Sequence, residues 1–272
     1  MARIESGARD RLQESKAPQV SVSVVEVPPA TALIQASSQA SLVVVGARGH
    51  SALSGVVIGS VSQHVSGHAA CPVVVVRPAP HALNRVVVGI DGSSGSTAAM
   101  EFAAEHASRT GAALAVIYAW RSLSSGGGSL MGAQPFENRF TEEMNSAERI
   151  LSEAVAGLGE RYPDVKLDTE AIPVVASRCL ADASAAASLL VVGSRGRGAF
   201  AGMLRGSTSQ SVLHHAQCSL AVVRWVPRCG PGRPTGGASV GCGSPCGPSL
   251  NRGLRTCWSR STCVGSAAPT SM

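Results

Sequence analysis

Gly193-Ser194-Arg195-Gly196, nine further residues, then Gly206-Ser207-Thr208: this stretch tells how the chain is built. The apolar run Leu189-Leu190-Val191-Val192 leads into it, and a helical pattern ending near His215 follows. Four consecutive apolar residues of this kind read as a strand buried on both faces, as in parallel sheets. A glycine loop after such a strand lets backbone approach a ligand closely. The helix N-terminus behind it offers unpaired N–H groups to an anion. The stretch is therefore expected to cradle phosphate.

The same alternation runs along the whole chain. Residues 20–27 alternate Val with polar residues and read as a strand ended by Pro28-Pro29. A helix is expected over 31–39, a buried strand over 41–45, a helix over 60–69 and a strand over 73–76. After a linker at 79–84 the pattern starts afresh. A strand over 85–90 breaks at Asp91-Gly92-Ser93, a helix over 96–109 stops at Gly111, and 113–120 is strand-like. Residues 122–134 are a glycine- and serine-rich loop, 140–160 a long amphipathic helix, 166–172 a strand and 177–187 an alanine-rich helix. The strand over 189–192 follows, and 219–224 closes the series. Strand alternating with helix implies an α/β fold, an open, mostly parallel sheet with helices on both faces.

The chain also repeats itself. A shift of 147 residues lays Gly46 on Gly193, Arg48 on Arg195, Gly49 on Gly196, Gly59 on Gly206 and Ser60 on Ser207. It also lays Gln63 on Gln210, His68 on His215, Cys71 on Cys218 and Arg77 on Arg224. The first copy is incomplete, because counterparts of the strand at 85–90, its helix and the strand at 113–120 would precede residue 1. The expected organisation is a truncated first domain (1–78, strands 3 to 5 only), a complete second domain (85–224) and a tail (225–272).

The glycine motif is not a Walker A loop, since no Lys-Ser/Thr follows the glycines, and its spacing is not the Rossmann fingerprint. Found twice, each time between a buried strand and a helix, it resembles the universal stress protein family in its tandem, actinobacterial form. Val88-Gly89-Ile90-Asp91-Gly92-Ser93 carries the resemblance at the start of the second copy and Gly193 to Thr208 near its end. The resemblance implies a five-stranded parallel sheet of order 3-2-1-4-5. In such a sheet ligands bind where the order reverses, beyond the C-terminal ends of strands 1 and 4. It further implies that the ligand is ATP or a related adenine nucleotide, with Mg2+ as companion of the triphosphate. Gly89, Asp91 and Ala119 would border adenine and ribose. Gly193, Gly196 and Gly206 would let the loop wrap ribose and phosphates, Ser207 and Thr208 would meet phosphate oxygens, and Arg195 and Arg197 would add charge. The family also pairs its last strand across a dimer or between tandem domains, so a homodimer or an intrachain pseudo-dimer is expected. The first copy, with Gly46, Gly49, Gly59 and Ser60 but no counterpart of Asp91, is expected neither to bind nucleotide by itself nor to be very stable. The implied role is regulatory, in stress response. The alternatives are an interaction protein whose motif is structural, and a slow ATPase or nucleotidyl-transfer enzyme.

Composition narrows the field. The net charge is +6, but the tail from Trp225 holds five arginines and no Lys, Asp or Glu, leaving the first 224 residues near +1. Aromatic residues are 3% of the chain, too few for base-stacking platforms, and nucleic acid is not an expected partner. No apolar run approaches the ~18 residues of a membrane span, and residues 1–5 hold no apolar leader core, so a cytoplasmic protein is expected. His64 and His68 stand at i, i+4, but the second copy has Ser211 in place of His64. They read as surface residues of a helix end, not as metal ligands. Cys71 and Cys218 read as small core residues. No nucleophile elbow precedes a helix, and Asp91 alone makes a poor catalytic pair, so no catalytic residue is assigned. The tail, rich in Gly, Pro, Arg and Cys, reads as disordered and as out-of-frame translation.

Overall fold

Seven strands form one sheet in the computed structural model, which describes residues 21, 23–47, 58–79, 83–121, 136–196 and 206–225, with backbone only for 136–139. The strands are β1 (Val43–Gly46), β2 (Val73–Val76), β3 (Arg85–Ile90), β4 (Ala113–Ala119), β5 (Leu167–Ile172), β6 (Leu189–Gly193) and β7 (Ser219–Val223). The helices are α1 (Pro29–Ala36), α2 (Ser60–His68), α3 (Ser94–Thr110), α4 (Phe136–Val155), α5 (Leu158–Arg161), α6 (Ala176–Ala183) and α7 (Ser207–His215).

The sheet order is β1-β2-β7-β6-β3-β4-β5. Within the second repeat this is the expected 3-2-1-4-5 order, all parallel. Among the described residues the only antiparallel pair is β2 with β7, where the two repeats meet. Val74 faces Ala221, its own counterpart under the 147-residue shift, so a local two-fold axis passes between them. The expected intrachain pseudo-dimer through the last strands is thus the observed junction.

The duplication persists bond by bond. Ser37 Oγ accepts from the Ala70 amide at 2.8 Å, as Ser184 Oγ accepts from that of Gln217 at 2.8 Å. The Gly59 amide donates to Ala47 O at 2.8 Å, as that of Gly206 donates to Ser194 O at 3.0 Å. His68 Nδ1 lies 2.8 Å from His64 O and His215 Nδ1 lies 2.7 Å from Ser211 O. His64 and His68 are exposed and their rings stack at 4.3 Å.

Two cores sandwich the sheet. One, beneath α1, α2, α6 and α7, runs through both repeats and contains Leu33, Val65, Val75, Val87, Leu180, Leu190, Val212 and Leu220. The other, beneath α3 to α5, contains Val88, Ala99, Met100, Ala103, Val116, Leu151 and Val191, and takes no residue from β1. Val191 and Val223 are 0% and 3% exposed there, whereas Val76, the counterpart of Val223, is 47% exposed, with no counterpart of α3 over it among the described residues. The free thiols of Cys71 and Cys218 are buried, and burial pushes Cys218 up to about 11, so it packs as a neutral apolar side chain.

Three expectations change. The described part of 20–27 forms no strand, and Val24, Val25 and Val27 are exposed. In the second repeat the corresponding strand pairs with β4, and among the described residues the first repeat offers it no such neighbour. Among those residues that repeat contributes two strands to the sheet, not three. The long helix expected over 140–160 begins earlier and ends at Val155; Gly157 turns left-handed (φ +69°) and starts α5. The 3-10 turn Ser184–Ala186 finishes what was expected as one helix over 177–187. Residues 1–20, the 122–134 loop and the tail beyond Trp225 lie outside the described residues.

Among the described residues β1 is bonded along one edge only, to β2, while its counterpart β6 is held by both β3 and β7. Backbone amides on a free edge open without unfolding the rest. Hydrogen exchange at 43–46 is therefore expected to run at least about tenfold faster than at 189–193; equal protection would show that β1 is covered.

Candidate functional site

β3 and β6 lie side by side, Val86 opposite Leu189 through Gly89 opposite Val192, so their C-terminal ends share one rim of the sheet. This is where the strand order reverses, because α3 leaves β3 on one face and the loop after β6 leads to α7 on the other. A cleft of about 240 Å³ opens there. Nine of the ten residues expected to bind nucleotide line it: Gly89, Asp91, Ala119, Gly193, Arg195, Gly196, Gly206, Ser207 and Thr208.

On the β3 side, Asp91 Oδ1 accepts the amide of Ser93 at 3.0 Å, which fixes the turn and aims the carboxyl group along the rim. Ser93 caps α3, its hydroxyl accepting the Ser96 amide at 3.2 Å, so that helix end is satisfied from within. Across the cleft the Ser194 amide donates to Val223 O at 2.8 Å. Ser194 O receives both the Gly206 amide at 3.0 Å and Ser209 Oγ at 3.4 Å. These bonds pin both ends of the loop whose middle, 197–205, lies outside the described residues together with Arg197.

The helix behind this loop differs from α3. Its N-cap is Gly206, which has no side chain to accept from the first-turn amides, and no acidic residue stands in that turn. The N-terminus of α7 therefore faces the cleft with donors and a partial positive charge. Arg195 is exposed at the mouth. Arg224 stands close enough that burial, and then the charge of Arg195, push its guanidinium below its ordinary value. That end of the cleft favours an anion.

The glycines divide by cause. A Cβ on Gly193 would lie 2.9 Å from backbone atoms of Gly95, and one on Gly196 would run into the Asp91 carboxylate. Protein packing alone requires glycine at 193. At Gly206 a Cβ would meet nothing closer than 3.5 Å, and its φ of −73° suits any residue. Nothing in the described chain asks for glycine there.

Sequence reasoning missed the opposite wall. Ile117, Ala176 and Leu180 give the cleft an apolar side, with Leu180 reaching Gly89. The signal was available: α6 begins at the same rim, since it follows the C-terminal end of a parallel strand. A more open groove of about 360 Å³ runs between α6 and α7, lined by Ser177, Arg178, Asp182 and His215, among others. Its exposed Arg178 and Asp182 already face each other at 3.9 Å. In the first repeat Gly46 ends β1, Gly59 precedes α2 and Ser60 opens it, but among the described residues no strand flanks the other edge of β1. Gly49 lies outside the described residues. Among the described residues no three His, Cys, Asp or Glu side chains are grouped to hold a metal, and no helix is long and apolar enough to cross a membrane.

Known proteins resemble this chain along most of its described length. The sequence pattern of the universal stress protein family matches residues 2–77 and 82–224. Universal stress protein Rv2005c of Mycobacterium tuberculosis is 39% identical over 203 residues, which are 72% of this chain and 66% of that protein. Rv1996 of the same organism, also named a universal stress protein, is 36% identical over 223 residues, 80% of this chain and 69% of that one. The chain thus spans about two thirds of the length of these relatives. Among solved structures, a universal stress protein from Archaeoglobus fulgidus superposes with a TM-score of 0.51 at 24% identity, covering 82% of this chain and 76% of the other. The Pseudomonas aeruginosa protein PA1789 superposes with a TM-score of 0.58 at 17% identity, covering 82% and 77%; these two likenesses speak for the fold. With the family pattern found in both repeats and the fold in agreement, the chain belongs to the universal stress protein family.

Proposed function

We propose that the second repeat binds an adenine nucleotide, ATP in the first instance, in the cleft between the ends of β3 and β6, and that the protein acts as a ligand-responsive regulator in stress response. The observation that carries this is the polarity of the cleft. Ile117, Ala119 and Leu180 offer a flat apolar slot for a base, and the uncapped end of α7 with Arg195 offers an anion site. Asp91 stands at the slot, where a carboxylate accepts from the donors of a nucleoside. Mg2+ would arrive with the phosphates.

Hydrolysis is the second reading, favoured only by the presence of a carboxylate in the cleft. A single carboxylate with no base or metal cluster among the described residues supports binding better than turnover. Steady release of ADP from ATP by the purified chain, abolished in Asp91→Ala, would move the balance toward an enzyme.

Gly206→Ala tests the proposal. The new methyl meets no protein atom closer than 3.5 Å, so the fold is expected to lose no more than about 1 kcal/mol, the cost of a poorer N-cap. If phosphate packs on that backbone, ATP affinity in calorimetry falls about tenfold, some 1.4 kcal/mol. Wild-type chain that binds no adenine nucleotide at millimolar concentration would sink the proposal outright.

A further inference from the structure

Arg77 and Arg224 occupy equivalent places just beyond β2 and β7, and each reaches across the two-fold junction into the other repeat. Arg77 Nη1 donates to Ala216 O and Nη2 to Leu213 O, both at the C-terminal end of α7. Arg224 Nη2 donates to Gly67 O at the end of α2, at 2.8 Å. The crossing is unequal: two bonds run toward the complete repeat and one toward the truncated repeat. The backbone of Arg77 is itself fixed, its amide donating to Ser219 Oγ at 3.2 Å.

α7 needs such a hold. It has nine residues, and helices below ~12 residues are marginal without tertiary support. No side chain caps its N-terminus. Its C-terminal carbonyls, by contrast, are occupied: Ser211 O lies 2.7 Å from His215 Nδ1, and Leu213 O and Ala216 O receive the Arg77 fork. A guanidinium there satisfies two orphan acceptors with one planar group and sets a positive charge at the negative end of the helix dipole. The helix is anchored at the end far from the cleft, and its donors at the near end remain available.

We infer that Arg77, a residue of the truncated first repeat, is a positioning residue for the phosphate end of the second repeat's cleft, acting through α7. This rests on the nucleotide reading above. It gives the first repeat a part in the second repeat's site. Arg77 is not among the residues that line the cleft. It sets where the Ser207 and Thr208 amides stand, so it bears on the phosphates and not on the base.

The test compares ATP with adenosine on the full chain. Calorimetry on wild type, Arg77→Met and Arg77→Lys gives both affinities, and thermal unfolding gives stability. Arg77→Met is expected to weaken ATP about tenfold while adenosine stays within about twofold of wild type. Arg77→Lys keeps the charge but loses the fork, and is expected to weaken ATP about threefold. Should Arg77→Met fail to fold, the lysine variant alone carries the comparison. Unchanged ATP affinity in the folded variants overturns the inference, as does loss of ATP and adenosine by the same factor, the mark of a merely structural contact. Wild type that binds neither ligand fails before any variant is made, which brings down the nucleotide reading and this inference with it.

Discussion

Gly193→Val is expected to destabilise the chain by about 3 kcal/mol or more, the range of overpacking in a core that cannot yield. The cause is the close approach of β6 to the first turn of α3. A Cβ at 193 would stand 2.9 Å from both C and O of Gly95 and 3.2 Å from the Ser96 amide nitrogen. These are backbone atoms, so no rotamer change relieves the contact. The helix would have to move, and Ala99, Met100 and Ala103 behind it are buried in the second core. Valine adds two methyls to the same place. In thermal unfolding the shift should be roughly 6–12 °C downward for a domain of this size. A midpoint within about 1 °C of wild type would mean that β6 and α3 are not in contact as described. The contrast with Gly206→Ala is the informative part: both sites belong to one motif, yet the first serves the fold and the second is proposed to serve the ligand.

Asp91→Ala is expected to lower adenine-nucleotide affinity about thirtyfold, close to 2 kcal/mol, the worth of hydrogen bonds to a charged acceptor. Adenosine should lose by the same factor as ATP, because Asp91 is proposed to meet the nucleoside. This sets it apart from Arg77, whose loss should spare adenosine. The fold should lose no more than about 1 kcal/mol, since the side chain holds one local turn by accepting from Ser93. Asp91→Asn, which keeps an acceptor for that turn, separates the two effects. Calorimetry showing Asp91→Ala and wild type equal toward adenosine would remove Asp91 from the site.

Much of this was legible in the residues because buried parallel strands announce themselves. Val86 to Val88 and Leu189 to Val192 are uninterrupted apolar runs, and the two glycine loops repeat at a fixed shift. From strand order alone Asp91 and Gly196 could be expected to meet, and the Asp91 carboxylate does lie where a Gly196 side chain would begin. What the sequence hid was context. Residues 20–27 have the alternation of a strand, but alternation cannot supply a neighbour to pair with. The helix expected over 140–160 looked continuous because glycine is tolerated in many helices, and only the backbone at Gly157 reveals the break. The apolar wall from Leu180 and the crossing of Arg77 come from residues distant in sequence, and no local pattern encodes them. The two motif glycines at 193 and 206 look alike in sequence and differ only in what surrounds them.

The antiparallel seam between β2 and β7 also dictates a schedule for synthesis. Arg77 and Ser219, which meet at its edge, are 142 residues apart in the chain. At about 5–20 residues per second, roughly 7–28 s pass between the making of the first side of the seam and the second. During that interval, among the described residues, β1 and β2 have only each other as strand neighbours. The seam that joins the two repeats therefore forms only after the last strand has been made.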